Sequence, residues 1–258
     1  MTHTQKWPDT IWVVRHGESA GNVARDAAEA AGLTTIDIPG IARDVDVPLS
    51  ALGEEQSAAL GRWFAALPVE QQPTVVLSSP YLRARETAEI AMRAANLDME
   101  DLAFRSDERL REKEFGVLDR LTKRGIQETY PEQFQLRSAL GKFYHRPPGG
   151  ESWCDVILRL RSIIDTLTRD HRHERVLIVS HQVVVNCFRY LFERMTEDEI
   201  LTADRAADVP NCSVTSYQFH PELGRKGKLQ RDLLNFVAGL EESGTPVTTE
   251  PDAPVAPK

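Results

Sequence analysis

Three short apolar runs, each rich in β-branched residues, constrain the fold of this chain more than any other feature of its sequence. They cover residues 11–14, 74–77 and 175–180, and helical patterns separate them. Runs of this length without polar alternation are typical of strands that are buried on both faces of a parallel sheet. The alternation of strands with helices predicts an α/β fold, a three-layer α/β/α sandwich with a mostly parallel central sheet.

Weaker patterns complete the predicted order of elements. Helices are predicted over residues 50–67, 80–95, 122–130, 131–140, 151–169, 182–193 and 197–203, and further strands over 104–105, 213–219 and 228–237. Residues 115–150, which contain two of the short helices, form a small helical cap insertion in this interpretation. The connection 23–48 is much longer than the usual few residues, which predicts an excursion that covers the site.

Polar groups suited to an anion follow each of the three apolar runs. Arg15 and His16 end the first, Arg83 lies in the first helical turn after the second, and His181 follows the third. The carboxyl ends of parallel strands meet at one edge of a sheet, where ligands bind. A cation in the first turn of a helix is unfavourable unless an anion binds there, because the helix dipole is already positive at that end. We therefore expect these side chains to converge on an anion site.

Composition excludes several classes of function. The chain has 258 residues and a formal net charge of −8, so nucleic acid and anionic membranes are not expected partners. The three cysteines Cys154, Cys187 and Cys212 are scattered, which predicts no disulfide framework, no metal site and a reduced, cytoplasmic protein. No apolar run approaches the length of a membrane span. Residues 1–240 are interpreted as a single domain, and residues 241–258 as a disordered acidic, proline-rich tail whose removal leaves activity unchanged.

Two arginines and two imidazoles without a metal-binding pattern suit a phosphoryl group. Histidine can attack phosphorus and form a covalent phosphoenzyme, while Arg15, Arg83 and a cationic His181 neutralise the phosphoryl oxygens. A carboxylic acid must protonate the leaving oxygen, and a nearby phosphate dianion favours its protonated form. The residues leave four candidates open for this acid, Glu18, Glu112, Glu114 and Glu151.

The blocks that carry these groups resemble, in order, the histidine phosphatase superfamily, in its phosphoglycerate mutase-like branch. The matching blocks are VVRHGESAGN at 13–22, SSPYLRARETA at 78–88, LREKEFG at 110–116, PGGES at 148–152 and VSH at 179–181. The resemblance implies that His16 is the phosphorylated nucleophile and that Glu112 is the proton donor and then the base for water. It implies a phosphoryl site formed by Arg15, Asn22, Arg83 and His181. Gln182 stands where the family usually has glycine, and its backbone N–H serves the substrate in this interpretation.

The same pocket suits two kinds of enzyme. We favour a metal-independent and cofactor-independent phosphomonoester hydrolase acting on a small phosphorylated metabolite, because Glu114 would repel a second phosphate group and the PGGES block resembles the phosphatases. A cofactor-dependent phosphoglycerate mutase is the first alternative, and a non-catalytic interaction module on the same fold is the second. His145 and Arg146 are predicted to lie near the cap, where they are candidates for substrate recognition. The sequence selects neither a particular substrate nor an oligomeric state, and a homodimer remains open.

Overall fold

The computed structural model of the protein describes residues 5–98 and 102–249. These residues form the strands β1 Thr10–Arg15, β2 Val75–Ser78, β3 Ala103–Ser106, β4 Arg175–Ser180, β5 Val214–His220 and β6 Lys228–Arg231. They form the helices α1 Ala20–Ala30, α2 Ala51–Ala66, α3 Leu82–Ala94, α4 Lys123–Thr129, α5 Pro131–Tyr144, α6 Trp153–Asp170, α7 Gln182–Glu193, α8 Glu197–Ala206 and α9 Ala238–Glu242. The predicted α/β class is confirmed.

The six strands form one sheet in the order β3-β2-β4-β1-β5-β6. β3, β2, β4 and β1 are mutually parallel, whereas β5 and β6 run antiparallel to their neighbours. The register pairs Arg15 with Ser180, and Ser78 with Val179. The carboxyl ends of the three central strands therefore lie side by side, and the polar residues that follow them start from one edge.

Alternate residues of each central strand enter two different cores. Val13 and Ile178 belong to a cluster that α6 and α7 complete on one face. Val14 and Val179 belong to a second cluster that α2 and α3 complete on the other face. This burial on both faces explains why the strands are continuously apolar in sequence, and it produces the predicted three layers.

The long connection after β1 and the cap insertion contact each other. Ser19 caps α1 through a reciprocal pair of hydrogen bonds with Asn22, so the helix begins earlier than the alanine-rich stretch alone predicts. Beyond α1 the chain bonds to the cap, with Ile36 N donating to Arg120 O at 2.8 Å and Thr122 N to Thr34 O at 3.1 Å. The predicted cap helices correspond to α4 and α5.

Two parts of the C-terminal region differ from expectation. The strand predicted over 228–237 ends at Arg231, but the chain beyond it continues alongside β5 in the same direction, where Asp232 N donates to Ser216 O and Phe236 bridges to Val214. Residues 241–249 were expected to be disordered, but they contain the end of α9 and hydrogen bonds from Gln56 and Asn211. Those buried amides provide partners that composition does not reveal. Residues 250–258 of the predicted tail lie outside the described residues.

No helix within residues 5–98 and 102–249 combines the length and the apolar character needed to cross a bilayer. The same residues contain no group of three or more His, Cys, Asp or Glu side chains arranged to hold a metal ion.

Candidate active site

The loop after β1 is held close to two helices. Gly17 N donates to the hydroxyl of Thr87 in α3 at 3.0 Å. A Cβ atom at Gly17 would lie 2.6 Å from the carbonyl oxygen of Gly53 in α2, a contact that only a residue without a side chain avoids. His16 N donates to Ser180 O at 2.9 Å and continues the sheet pairing beyond β1. The backbone of the loop is therefore fixed on both sides of the His16 side chain.

The hydrogen bonds of His16 define its tautomer. Its Nδ1 lies 2.7 Å from Gly17 O, and because a carbonyl only accepts, Nδ1 carries the proton. Arg83 Nε donates to Nε2 at 3.3 Å, which requires a lone pair there. Burial, and then the charges of Arg83 and Arg15, lower the pKa of His16 well below its usual value. The ring is neutral at pH 7, and its nucleophilic nitrogen faces the arginine.

Asp44, from the connection 23–48, binds the outer edge of Arg83. The Nη1 atom of Arg83 donates to Asp44 Oδ1 at 3.1 Å and to its backbone oxygen at 2.8 Å, and Nη2 lies 3.0 Å from Oδ2. The Nε edge of the guanidinium faces His16. Arg83 N in turn donates to Val47 O at 3.2 Å, so the connection contacts both the backbone and the side chain of this arginine. The predicted excursion thus forms part of the site.

His181 lies behind His16 at the beginning of α7, with 5.1 Å between the two ring centroids. Its Nε2 is 2.8 Å from Ser79 Oγ, and its Nδ1 is 3.7 Å from Glu112 Oε2. Burial, followed by the charges of Arg83 and His16, lowers the pKa of His181 well below its usual value. The His181 ring is therefore neutral in the ligand-free site, and the cationic form expected with a bound phosphoryl group stays a prediction.

The structure distinguishes the four candidate carboxylic acids. Glu112 lines the same cavity as His16, whereas Glu18 accepts a hydrogen bond from the hydroxyl of Ser50 at 2.6 Å. Glu114 accepts from Tyr81 at 3.0 Å. Burial would raise the pKa of Glu151, but its hydrogen bond with Arg159 and the charges of two arginines hold that pKa below the usual value. Glu112 is the carboxyl group of the four that faces the cavity.

The cavity has a volume of about 70 Å³. It brings together most of the residues predicted for the site, namely Arg15, His16, Asn22, Arg83, Glu112 and Gln182, and it adds Arg25, Asp44, Phe115 and Asp119. His181 is fully buried and borders His16 from inside. His145 and Arg146 are not among the lining residues, because His145 is buried against Gln133 and Arg146 pairs with Asp155.

Several groups that form hydrogen bonds with the site residues were not identified from the sequence. Each of them contacts a residue far away in the chain. Asp44 accepts from Arg83, the hydroxyl of Thr87 accepts from Gly17 N, and the carbonyl of Val209 accepts from Arg15 Nη1 at 2.6 Å. Asp44 stands in a segment whose pattern predicts only a loop. A signal existed for Thr87 alone, because it lies one helical turn after Arg83 on the same face of the predicted helix.

The side-chain amide of Gln182 lies at the cavity wall, and one of its two polar atoms has a hydrogen-bond partner. Its Nε2 donates to Asp208 Oδ1 at 3.3 Å, and its Oε1 is buried without a hydrogen-bond partner among the described residues. The polar side chain thus occupies space next to the site that glycine would leave open. A ligand in the cavity meets this amide as well as the backbone.

The chain is similar in sequence and in structure to several known proteins. The chain is 31% identical over 195 residues to human 6-phosphofructo-2-kinase/fructose-2,6-bisphosphatase 3, a match covering 74% of this chain and 31% of that protein. Bacillus stearothermophilus YhfR superposes with a TM-score of 0.69 at 25% identity, covering 90% of this chain and 98% of the other. A mycobacterial glucosyl-3-phosphoglycerate phosphatase in complex with VO3 gives a TM-score of 0.64 at 23% identity, covering 88% and 99%.

The chain spans about a third of the length of the curated relatives that it matches. The model of the histidine phosphatase superfamily, branch 1, matches residues 11–230, which include every site residue named above. With its paired histidines and arginines at the carboxyl edge of the sheet, the chain belongs to the histidine phosphatase superfamily.

Proposed function

We propose that this protein is a metal-independent phosphomonoester hydrolase that acts through a phosphohistidine at His16. One observation carries the proposal: the lone pair of a neutral His16 Nε2 faces a cavity lined by Arg15 and Arg83, and Glu112 lines the same cavity. A nucleophile, cations for the phosphoryl oxygens and an acid for the leaving group therefore surround one small space. The arginines supply the charge neutralisation that a metal supplies in other phosphatases.

In the first step, Nε2 of His16 bonds to phosphorus while the ester P–O bond breaks. Arg83 Nε, which now donates to Nε2, transfers its hydrogen bond to a phosphoryl oxygen, joined by Arg15 and the amide nitrogen of Asn22. The Asn22 oxygen already accepts from Ser19, so its nitrogen is the group presented to a ligand. The protonated carboxyl group of Glu112 gives its proton to the leaving oxygen, and the alcohol departs.

In the second step, Glu112 removes a proton from water, and the water oxygen bonds to phosphorus as the P–N bond breaks. His16 regains its neutral ring, and inorganic phosphate leaves. A dianionic phosphoryl group beside His181 favours the protonated ring, so its charge would develop when substrate binds. The net reaction converts a phosphomonoester and water into an alcohol and phosphate.

The remaining cavity wall supports a substrate with one phosphoryl group. Asp44 and Asp119 contribute carboxylates beside the arginines, and Phe115 contributes an apolar ring. Burial, followed by the charge of Asp44, raises the pKa of Asp119, and the two carboxyl groups repel each other. A second anionic group on the substrate would be repelled, whereas hydroxyl groups would find acceptors. A small hydroxylated metabolite with one phosphoryl group, such as a sugar monophosphate, fits these properties.

The direct test is the release of p-nitrophenol from p-nitrophenyl phosphate in the presence of EDTA. Wild-type protein and the control His220→Ala, which removes a half-buried histidine at the end of β5, should hydrolyse the ester, and His16→Ala should not. Failure of the wild type, combined with interconversion of phosphoglycerates that needs a bisphosphoglycerate, would instead favour a mutase. If neither reaction occurs, the interaction module is the better explanation.

A panel of phosphorylated metabolites then ranks substrates. We expect a higher kcat/KM for sugar monophosphates than for phosphoglycerates. The carboxylate of a phosphoglycerate would lie near Asp44 and Asp119, which would repel it. The reverse order would contradict the assigned leaving-group site, without affecting the roles of His16 and Arg83.

A further inference from the structure

We propose that Thr248, far from the site in sequence, is a positioning residue for the loop that carries His16. The inference rests on the proposed function of His16, and it concerns two buried amides beneath that loop. Asn211 Nδ2 donates to His16 O at 2.9 Å. Gln56 Oε1 accepts from Glu18 N at 2.8 Å. These two bonds hold the backbone immediately before and after Gly17.

The same two amides are bonded on their other side to the C-terminal segment. The hydroxyl of Thr248 donates to Asn211 Oδ1 at 3.1 Å and accepts from Gln56 Nε2 at 2.9 Å. Gln56 Nε2 also donates to Pro246 O at 3.0 Å, and Asn211 N donates to Thr248 O at 3.0 Å. One hydroxyl group therefore lies between the two amides that support the nucleophile loop.

Each amide must point one way to serve the loop. A carbonyl such as His16 O needs a donor, and an N–H such as Glu18 N needs an acceptor, so the oxygen of Asn211 and the nitrogen of Gln56 must both face away from the loop. Thr248 is matched to this arrangement, because its hydroxyl donates to that oxygen and accepts from that nitrogen. Flipping Asn211 would set its oxygen against His16 O, and flipping Gln56 would set its nitrogen against Glu18 N and its oxygen against Pro246 O. The observed orientation satisfies the loop and uses the Thr248 hydroxyl as both donor and acceptor.

Because the two amides are buried, a wrong orientation of either would leave polar atoms without hydrogen bonds. Gln56 and Asn211 are fully buried, whereas Thr248 is half-buried and closes their outer side. A buried polar atom without a partner costs far more than an exposed one, so each amide keeps the orientation that its surroundings satisfy. Loss of the Thr248 hydroxyl leaves two buried polar atoms short of a partner, and rotation of an amide becomes less unfavourable.

A displaced His16 affects the chemical step more than binding. Phosphoryl transfer requires the nucleophilic atom in line and about 3 Å from phosphorus, and small displacements reduce the rate steeply. The arginine of α3 is held by Asp44 and by Val47 O, contacts separate from the hydrogen bonds that join Gln56, Thr248 and Asn211. Thr248 should therefore influence kcat while KM stays nearly constant, contrary to the expectation that residues 241–258 can be removed without a change in activity.

The test uses the full chain with three substitutions. Thr248→Val keeps the shape and removes the hydroxyl, Thr248→Ser restores it, and Thr249→Val is the matched control at the exposed neighbour. For p-nitrophenyl phosphate we expect Thr248→Val to lower kcat about fivefold to tenfold, roughly the loss of one well-placed hydrogen bond, with KM within about twofold. Thr248→Ser and Thr249→Val should resemble the wild type.

A second measurement does not depend on activity. The ring nitrogen resonances of His16, assigned by comparison with His16→Ala in ¹⁵N-histidine-labelled protein, should shift in Thr248→Val and stay unchanged in Thr249→Val. If the wild type hydrolyses the ester but Thr248→Val matches Thr249→Val in kcat and in these resonances, the positioning role is refuted. A loss of kcat that Thr248→Ser fails to restore also refutes it. An inactive wild type would overturn the proposed hydrolase, and the resonances would still decide the role of Thr248.

Discussion

The carboxylate of Asp44 lies against the arginine that we assign to the phosphoryl group, so removing its charge should strengthen phosphate binding. Asp44→Asn is the smallest such change. Asparagine keeps one oxygen to accept from Arg83 Nη1, and the backbone oxygen of residue 44 continues to accept from the same atom at 2.8 Å. The guanidinium should hold its orientation while one negative charge disappears.

The geometry gives the size of the effect. Asp44 binds the outer edge of Arg83 at 3.0 Å, and a phosphoryl group at the Nε edge beside His16 would lie about 7 Å from the carboxylate. The Asp44 side chain is 38% exposed, so an effective dielectric constant of about 40 is appropriate, and the repulsion of a dianion is then about 2 kcal/mol. Screening at about 0.15 M salt reduces it to about 1 kcal/mol, or roughly fivefold in affinity.

The assay is competitive inhibition of p-nitrophenyl phosphate hydrolysis by inorganic phosphate at two salt concentrations. The inhibition constant of Asp44→Asn should be about fivefold lower than that of the wild type near physiological salt, and lower still at low salt. Asp46→Asn is the control, because Asp46 lies on the same turn but pairs with the exposed Arg43. An inhibition constant that stays the same or rises in Asp44→Asn would refute the reasoning, since Asp44 would then help to hold the anion through Arg83.

Three further predictions concern the acid, the loop and a buried histidine. Glu112→Gln should slow esters with poor leaving groups far more than p-nitrophenyl phosphate, because a good leaving group departs without a proton; equal slowing in kcat would contradict the assigned acid. Gly17→Ala should lower kcat by more than about tenfold, because its Cβ would lie 2.6 Å from Gly53 O, and a variant of wild-type kcat would show that the loop tolerates the shift. Burial, and then the charges of Arg137 and Lys113, lower the pKa of His145 to about 4, below its unfolded value, so its contribution to stability is complete above about pH 6.5 and is lost as the pH falls toward 4. Between about pH 6.5 and 4, the free energy of unfolding of the wild type, measured by thermal unfolding, should therefore fall by up to about 3 kcal/mol more than that of His145→Gln. Equal decreases would show that the pKa of His145 is the same in the folded and unfolded states.

The class of fold, and the edge of the sheet at which the candidate site lies, follow from local patterns in the sequence. The continuous apolar character of residues 11–14 and 175–180 requires burial on both faces, which only a sheet between two helical layers provides. Because parallel strands end at one edge of the sheet, the groups that follow the apolar runs were expected there, and the adjacency of β1 and β4 brings Arg15, His16 and His181 together. These patterns are local, and physical rules of short range are sufficient to interpret them.

The other groups that complete the candidate site depend on contacts between residues far apart in the chain. Asp44 reaches Arg83 across 39 residues of chain, and Thr248 reaches Gln56 across 192. Nothing in the local pattern of a loop or a proline-rich segment specifies such contacts, because they depend on how whole elements pack and on which buried donors need an acceptor. The position of Glu112, which of the four candidate carboxyl groups is the one that lines the cavity, has the same origin.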